Sequence, residues 1–249
     1  MRYYAVADVH GYYTQLIDAL KDKGFFEDEE PRKLVVCGDL FDRGREAKDL
    51  QNFILDLMEK DEVILIKGNH EDLFMQLLDF DEGYPAHTHV RNGTYNTGLQ
   101  LIESDDTKSI LNPKSYVQGA RKTPYVAKII PSMRDYFETE HYIFVHGWIP
   151  CANVGQARYL ENWRNAGKDM WEGARWLNGM QMWNAGVIEK GKTIVCGHYR
   201  TSYGHSKIQG NGGEFGEDAD FSPFIDDGII ALDACTAYSG FVNCVVIDD

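Results

Sequence analysis

The sequence predicts an α/β fold in which short buried strands alternate with helices. Five short apolar runs indicate the strands, at residues 3–7, 34–37, 63–66, 143–145 and 193–196. Short runs rich in β-branched residues are typical of strands buried on both faces. Helical patterns follow the first three runs, and strands alternating with helices favour a layered α/β architecture.

The helices are indicated by apolar residues at helical spacing. Positions 16, 17 and 20 give a short apolar face that ends near Gly24. Positions 50, 53, 54, 57 and 58 give a longer one, with the i, i+3, i+4, i+7 pattern of an amphipathic helix. Positions 73, 74, 77 and 78 give the third. The first 80 residues therefore resemble repeated strand–loop–helix units.

The remainder of the chain is less regular. Residues 81–140 are interrupted by Gly and Pro, which predicts an irregular, partly helical insert. Residues 155–185 favour helix and hold four of the five tryptophans, and residues 204–228 are typical of a Gly- and Asp-rich loop. Residues 229–232 and 241–247 are predicted to form a closing hairpin. No repeat or linker is evident, so residues 1–249 are predicted to form one domain.

Every predicted strand ends in a residue that can bind a metal ion. Because the carboxyl ends of strands in an open α/β sheet meet at one edge, these side chains are expected to converge. Turn formation or helix capping explains any one of them, but not the whole set. The candidates are Asp8, His10, Asp39, Asn69, His146 and His198.

The donor types point to particular ions and to a particular chemistry. Asp8 and His10 are two positions apart, so an extended segment directs both to one side. Asp39 offers a carboxylate able to bridge two ions. Mixed nitrogen and oxygen donors without thiolate favour Mn, Fe or Zn. Two such ions about 3.5–4 Å apart would hold a phosphate and generate a bridging hydroxide for attack on phosphorus.

Charge and composition limit the partners of the chain. The formal net charge is −14, which opposes binding to nucleic acid and to anionic membranes. No apolar run approaches the ~20 residues of a membrane span, and no signal peptide is evident. The five cysteines form no Cys-x-x-Cys pair, and most lie in apolar runs. Reduced core thiols of this kind predict a cytoplasmic protein.

Three motifs in this order resemble the signature of the calcineurin-like metallophosphoesterases. They are Asp8-x-His10-Gly11, Gly38-Asp39-x-x-Asp42-Arg43-Gly44 and Gly68-Asn69-His70-Glu71. The Asp42-Arg43-Gly44 ending is similar to the phosphoprotein phosphatase branch. That branch includes bacterial Ser/Thr protein phosphatases and symmetrical diadenosine tetraphosphate hydrolases. The resemblance is dense over residues 5–71, resumes at His146 and His198, and fades over 81–140 and 150–190.

The resemblance implies a fold and a metal site. The family fold is a four-layer α/β/β/α sandwich of two mixed sheets, with two metal ions at the carboxyl ends of the strands. Asp8, His10 and Asp39 would hold the first ion. The second ion would be held by Asp39, Asn69, His146 and His198.

The resemblance also implies catalytic and substrate-binding roles. His70 would protonate the leaving oxygen with Asp42 as its carboxylate partner, as general acid catalysis requires. Arg43 would grip phosphate, a role suited to a guanidinium fork, with Asn69 as a further substrate contact. The family pattern also implies a second arginine that binds phosphate. The surrounding sequence does not align clearly with that pattern, so Arg175 is the first candidate and Arg200 the alternative.

One departure from the family pattern concerns the substrate rim. Trp148 stands after His146-Gly147, where the family usually has a second glycine. We expect Trp148, the insert, residues 155–185 and the 204–228 loop to line the substrate cleft, because loops on a rigid scaffold usually set specificity.

Three functions remain open at this level. The leading one is phosphomonoester hydrolysis of the Ser/Thr protein phosphatase type, acting on a phosphoprotein or a small phosphoester. The alternative is hydrolysis of a nucleotide or dinucleoside polyphosphate. A basic pocket beyond Arg43 would favour the polyphosphate, and an open acidic groove would favour phosphopeptides. A non-catalytic binding scaffold is disfavoured because the ligand and acid residues are all present.

Overall fold

A computed structural model describes residues 1–79, 87–102, 112–154 and 156–249. All five predicted strands are present within this part of the chain. Its strands, in chain order, are β1 (Arg2–Val6), β2 (Arg32–Cys37), β3 (Val63–Ile66), β4 (Phe137–Glu138), β5 (Tyr142–Phe144), β6 (Ala152–Val154), β7 (Gln156–Arg158), β8 (Thr193–Cys196), β9 (Phe224–Asp226), β10 (Ile229–Ala231) and β11 (Cys244–Asp248).

The three helices predicted from periodicity are also present, and each follows one of the first three strands. Further helices occupy segments predicted to be irregular. The helices are α1 (Tyr13–Asp22), α2 (Ala47–Glu59), α3 (Asn69–Leu78), α4 (His87–Arg91), α5 (Thr94–Leu101), α6 (Pro113–Lys122), α7 (Ile130–Ser132), α8 (Lys168–Ala174), α9 (Gly179–Asn184), α10 (Thr201–Tyr203) and α11 (Thr236–Ser239). Among the described residues, each helix is too short or too polar to cross a bilayer.

The strands form two mixed sheets and a small separate ribbon. The first sheet has the order β11-β1-β2-β3, in which β1, β2 and β3 are parallel and β11 is antiparallel. The second has the order β4-β5-β8-β10-β9, in which β5, β8 and β10 are parallel. The ribbon pairs β6 with β7. Each large sheet therefore has parallel central strands whose carboxyl ends share one edge.

The core confirms the predicted four-layer sandwich. Alternate residues of one strand point to opposite faces, so Tyr4 and Val6 pack under the helices α1 and α2, whereas Tyr3 and Ala5 face the second sheet. Phe144 and Val195 of the second sheet meet them in the same buried layer. The opposite face of the second sheet packs against the tryptophan-rich segment.

The predicted closing hairpin is wrong. β10 lies in the second sheet and β11 in the first, because the chain crosses between the sheets through α11. The hairpin in this region joins β9 to β10 through Asp227-Gly228, and Gly228 has a φ of 83°. An Asp-Gly pair between short apolar runs is a strong two-residue hairpin signal. The 204–228 segment therefore ends in a strand and begins with helical turns at Gly204–Ile208.

The described part of the predicted insert is more regular than expected. It forms α4 to α7 with a π-helical turn at Tyr125–Ile129, and ends in the edge strand β4. Leu101, Tyr116 and Tyr125 are buried against the first helical layer. Residues 81–86 and 103–111 of the insert lie outside the described residues. Because these helices share the layer with α2 and α3, we interpret the chain as one domain.

Candidate metal centre

The predicted ligands meet at the carboxyl edge of the two sheets. Asp8 and His10 follow β1, Asp39 follows β2, and Asn69 opens α3 directly after β3. The ligands from the second sheet follow β5 and β8, at His146 and His198. The ligands from the first sheet and His146 are each at most 2% exposed. The parallel topology thus brings together residues up to 190 positions apart.

The backbone at this edge is held in a conformation that L-residues rarely adopt. A positive φ costs a non-glycine residue of order 1–3 kcal/mol and is concentrated at functional sites. Six of the eight such residues in the described chain lie at the strand ends: Asp8, His10 and Asp39 at 51°, Asp42 at 76°, Arg43 at 63° and His198 at 66°. The surrounding contacts therefore fix these loops in a strained form that serves the site.

Asp39 stands at the centre of the donor atoms. Its Oδ1 lies 3.3 Å from His146 Nε2, and its Oδ2 lies 3.8 Å from His10 Nε2. Two groups of potential ligands share this carboxylate: His10, Asp39 and His70 in one, and Asp39, His146 and His198 in the other. A carboxylate with one oxygen toward each group has the geometry of a bridge between two ions.

The histidine tautomers follow from backbone hydrogen bonds. The Nδ1 of His10 lies 2.9 Å from the Phe41 carbonyl oxygen, and that of His146 lies 2.8 Å from the Cys37 carbonyl oxygen. A carbonyl only accepts, so each Nδ1 donates a proton to it. Each Nε2 then faces Asp39 and, once deprotonated, offers its lone pair to an ion in the usual arrangement of metal-binding imidazoles.

Asn69 and Asp8 complete the two groups. Asn69 Oδ1 lies 2.8 Å from His146 Nε2 and 3.0 Å from His198 Nδ1. Asp8 Oδ1 lies 4.0 Å from His10 Nε2, while its Oδ2 accepts a hydrogen bond from the His198 amide at 2.8 Å. These donors thus converge from both sheets on the positions predicted from the motifs.

The electrostatics of the protein groups alone favour cations at this edge. Burial, together with the nearby charges of Asp233 and Asp39, raises the pKa of Asp8 well above its usual value. Burial, with the Arg43 and His70 charges, lowers the pKa of His10 well below its usual value. A buried carboxylate beside an imidazole held neutral, as at Asp8 and His10, is stabilised by positive charge nearby. The donor set therefore fits divalent ions with mixed nitrogen and oxygen coordination.

Glu71 holds the loops that carry the ligands. Its fully buried carboxylate accepts hydrogen bonds from the amides of Asp39, Leu40 and Gly68, at 3.2, 3.0 and 2.7 Å. A side chain on Gly68 would overlap the Asp39 carboxylate. The final residue of the third motif thus fixes the loop after β2 against the loop after β3, although the sequence assigned it no role.

His70 and Asp42 form the predicted pair. His70 Nδ1 lies 2.7 Å from Asp42 Oδ2, which leaves Nε2 facing the site, 3.9 Å from Asp39 Oδ2. Burial lowers the pKa of His70, but the Asp39 and Asp42 carboxylates outweigh it, so the pKa lies above its usual value. A protonated imidazole oriented by a carboxylate is able to donate a proton to a leaving group.

Two threonines on α5 hold Asp42, and the sequence did not reveal them. Thr94 Oγ1 donates to Asp42 Oδ2 at 2.7 Å, and Thr97 Oγ1 donates to Asp42 Oδ1 at 2.8 Å. The Asp42 amide in turn donates to Thr97 Oγ1 at 3.1 Å. Their three-residue spacing on a helix was the only local signal. The insert therefore supports the carboxylate that orients His70.

Replacing Thr97 by Val should slow turnover without removing metal. The Asp42 carboxylate loses one donor and its amide loses an acceptor, and a hydrogen bond to a charged group is worth about 1.5–3 kcal/mol. We expect kcat to fall about 10–100-fold for an alkyl leaving group, and less for p-nitrophenyl phosphate. Thr97→Ser keeps the hydroxyl and should retain near-normal rates. Equal losses for both leaving groups would contradict a role exerted through His70.

A cavity of about 140 Å³ opens above the donor atoms. Asn92 and Trp176 form part of its wall, together with Arg43 and the ligands from both sheets. The Trp176 ring lies edge-on to His198 at 5.8 Å and is 54% exposed. The insert and the tryptophan-rich segment therefore each contribute one residue to the cleft. Trp148 does not contribute to the cleft, because it is 1% exposed and packs between the second sheet and the tryptophan-rich segment, where its Nε1 donates to the Val187 carbonyl.

The two candidate arginines lie outside this wall. Arg175 is 7% exposed at its side chain and forms ion pairs with Asp72, at 2.5 Å, and with Asp135. Arg200 pairs with Glu214, and its guanidinium lies over the Phe215 ring at 4.4 Å. Both guanidinium groups are thus occupied by carboxylates. A role of either one on phosphate stays a prediction, whereas Arg43 lines the cavity directly.

Arg175→Ala is expected to destabilise the fold. It would leave the Asp72 carboxylate, 12% exposed, without one of its partners. Removing one member of a buried ion pair typically costs about 3–5 kcal/mol, and the exposure of Asp135 places this case near the lower end. Chemical denaturation measures the loss directly, with Lys60→Ala, which removes an exposed ion pair, as the control. A rise in KM with metals retained would show that Arg175 also contacts substrate.

The chain belongs to the calcineurin-like phosphoesterase family, whose model matches residues 1–226. An asymmetrical bis(5'-nucleosyl)-tetraphosphatase of Bacillus velezensis is 25% identical over 162 residues, which cover 63% of this chain and 60% of that protein. The corresponding enzyme of Bacillus subtilis is 30% identical over 118 residues, 44% of this chain and 46% of that one. The matched segments thus span less than two thirds of these relatives.

Solved structures with the same fold include a cold-active protein-tyrosine phosphatase from a Shewanella species. It is 17% identical with a TM-score of 0.55, and the alignment covers 100% of this chain and 75% of that one. A protein provisionally described as a diadenosine tetraphosphatase is 16% identical with a TM-score of 0.53, covering 99% and 89%. At these identities the likeness shows the fold alone. The family match and the clustered donors together define a candidate divalent-metal site in a calcineurin-like phosphoesterase.

Proposed function

We propose that the protein hydrolyses the phosphoric anhydride bonds of nucleoside polyphosphates, with dinucleoside polyphosphates as the main substrate class. The single observation that carries the hydrolytic chemistry is the Asp39 carboxylate shared by two groups of donors. Two ions held there by Asp8, His10, Asp39, Asn69, His146 and His198 would supply an activated water and offset phosphate charge. Mn, Fe or Zn suits these donors.

The roles of the other residues follow from their positions. Arg43 is exposed and lines the cavity, where its guanidinium can bind a phosphate oxygen pair. His70 Nε2 faces the same space, and Arg43 Nη2 lies 3.5 Å from it. His70 therefore gives its proton to the oxygen that leaves phosphorus, and Asp42 keeps the imidazole oriented. Asn69 lines the same cavity as Arg43 and His70 and serves as a further contact to the bound phosphate.

Two observations support a polyphosphate rather than a phosphoprotein. The curated relatives carry the name of bis(5'-nucleosyl)-tetraphosphatases. The catalytic cavity is small and walled by Asn92 and Trp176, and the surface beyond Arg43 carries a second exposed cation, Arg45. Phosphoprotein hydrolysis is the competing proposal. The five free cysteines, three of them buried, also support our proposal of a cytoplasmic location.

A substrate panel tests the proposal. Metal-loaded protein is assayed with diadenosine tetraphosphate, ATP, p-nitrophenyl phosphate and phosphoserine and phosphothreonine peptides. We expect the highest kcat/KM for diadenosine tetraphosphate. A higher value for the phosphopeptides would transfer the function to phosphoprotein hydrolysis, and the Asp39→Asn variant provides the background rate.

A further inference from the structure

A second cavity, of about 470 Å³, adjoins the catalytic one at Arg43. The beginning of α1 and the loop that leads into α2 enclose it. Its lining residues are Tyr12, Thr14, Gln15, Arg43, Gly44, Arg45 and Glu46. Since Arg43 lines both cavities, a ligand bound at the metal ligands can extend past Arg43 into the second space.

The walls of this cavity are fixed by the backbone. The Gly44 amide donates to the His10 carbonyl at 2.8 Å, and the Glu46 amide donates to the Gly11 carbonyl at 3.1 Å. A side chain on Gly44 would overlap the Gly11 backbone. The loops after β1 and β2 are thus locked together, so the second cavity holds a set position relative to the metal ligands.

The cavity carries positive charge in an acidic protein. Arg43 and Arg45 are both exposed, and within the described ranges the side-chain contact of Arg43 is to the His70 imidazole rather than to a carboxylate. The nearby Glu46 carboxylate is already occupied, because the Thr14 amide and hydroxyl donate to it at 3.1 and 2.5 Å. In a chain with a net charge of −14, two exposed guanidinium groups two residues apart favour an anion with several phosphates.

The same cavity offers contacts for a nucleoside. The Tyr12 side chain is half-buried and presents a ring on which a base can stack. The Gln15 side-chain oxygen is buried and has no hydrogen-bond partner within the described structure. An unpaired buried acceptor is costly, and a rotation of the Gln15 side chain into the cavity would let it accept from an amino or hydroxyl group of a ligand.

We propose that this cavity binds the leaving nucleotide of the substrate. Arg43 and Arg45 hold its phosphates, Tyr12 stacks on its base, and Gln15 accepts a hydrogen bond from it. In the reaction the water oxygen forms a bond to phosphorus. The bond from phosphorus to the bridging oxygen breaks with its electron pair, and His70 protonates that oxygen on the nucleotide that leaves. The assignment rests on the proposed function for the identity of the substrate.

Competitive inhibition tests the cavity without requiring turnover of a nucleotide. ADP and inorganic phosphate are each measured as inhibitors of p-nitrophenyl phosphate hydrolysis in metal-loaded wild type, Arg45→Gln and Tyr12→Leu. We expect Ki for ADP to rise about 10-fold in Arg45→Gln, the value of one charge-assisted hydrogen bond of about 1.5 kcal/mol. Ki for inorganic phosphate should stay within about twofold, because phosphate has no leaving group to extend into the second cavity.

The control and the outcomes separate the two proposals. Lys21→Gln removes an exposed charge in the last turn of α1, outside the cavity lining, and should leave Ki for ADP unchanged. An unchanged Ki for ADP in both cavity variants, or equal effects on ADP and inorganic phosphate, would overturn the nucleotide site. A wild type that binds ADP through Arg45 but fails to hydrolyse diadenosine tetraphosphate would instead overturn the proposed substrate and leave the binding site standing.

Discussion

Replacing Asp39 by Asn should deplete both metal ions and abolish turnover. Asp39 is the residue common to both donor groups, and the substitution removes its charge while keeping its shape. Asn tolerates a positive φ, so the 51° of this position is retained. Mutating a residue that only supports a metal ligand typically costs about 10–100-fold in metal affinity or activity. Losing a ligand shared by both ions should therefore lower kcat by more than about 10³-fold. Elemental analysis and kcat on diadenosine tetraphosphate measure both effects.

Asp61 offers a matched control for this substitution. It has a φ of 55° and lies outside the site, where it pairs with Lys33 on the surface. Asp61→Asn should keep full metal content and full activity. Full metal content in Asp39→Asn would show that the carboxylate does not bridge the two ions.

Replacing His70 by Asn should retain the metals but slow hydrolysis of poor leaving groups. General acid catalysis is worth about 10²–10⁴-fold, and we expect a loss of this size for an alkyl phosphate, whose alkoxide is a poor leaving group. The loss should be far smaller for p-nitrophenyl phosphate, because that phenolate leaves without a proton. Steady-state kinetics with the two leaving groups give the ratio.

The metal content of His70→Asn decides between two roles. By distance alone His70 Nε2 lies in the group with His10 and Asp39, so it has the position of a ligand as well as that of an acid. Retention of two ions with a leaving-group dependence supports the acid. Loss of one ion with equal rate losses would make His70 a ligand. His141→Asn, at a side chain 62% exposed, should change neither quantity.

The positions of the strands, and hence of the ligands, follow from local patterns. Each of the five apolar runs forms a strand, and each candidate ligand lies just past the carboxyl end of its strand. A strand signal depends on residues adjacent in the chain, and parallel topology then brings the carboxyl ends to one edge whatever the remaining details. The same reasoning failed for β10 and β11, because pairing across 12 residues does not follow from the apolar pattern of either strand.

The contacts that tune the site depended on packing between distant segments. Thr94 and Thr97 reach Asp42 from 52 and 55 residues away, because α5 packs beside the loop after β2. Trp176 lines the cavity, whereas the adjacent Arg175 points into ion pairs with Asp72 and Asp135. Neighbouring residues on one turn face different surroundings, and the sequence alone does not determine which residue faces the site.

The sequence by itself determined the α/β class, the carboxyl edge of the strands as the site, and the candidates for metal binding and proton donation. These features depend on local periodicity and on motifs whose residues lie within a few positions of one another. The tertiary structure decided which arginines line a cavity and which form ion pairs, how Asp42 is held, and that a second cavity continues from Arg43 to Arg45 and Tyr12. Those properties arise where separate loops and helices pack together, so their energies depend on distances that no local pattern contains.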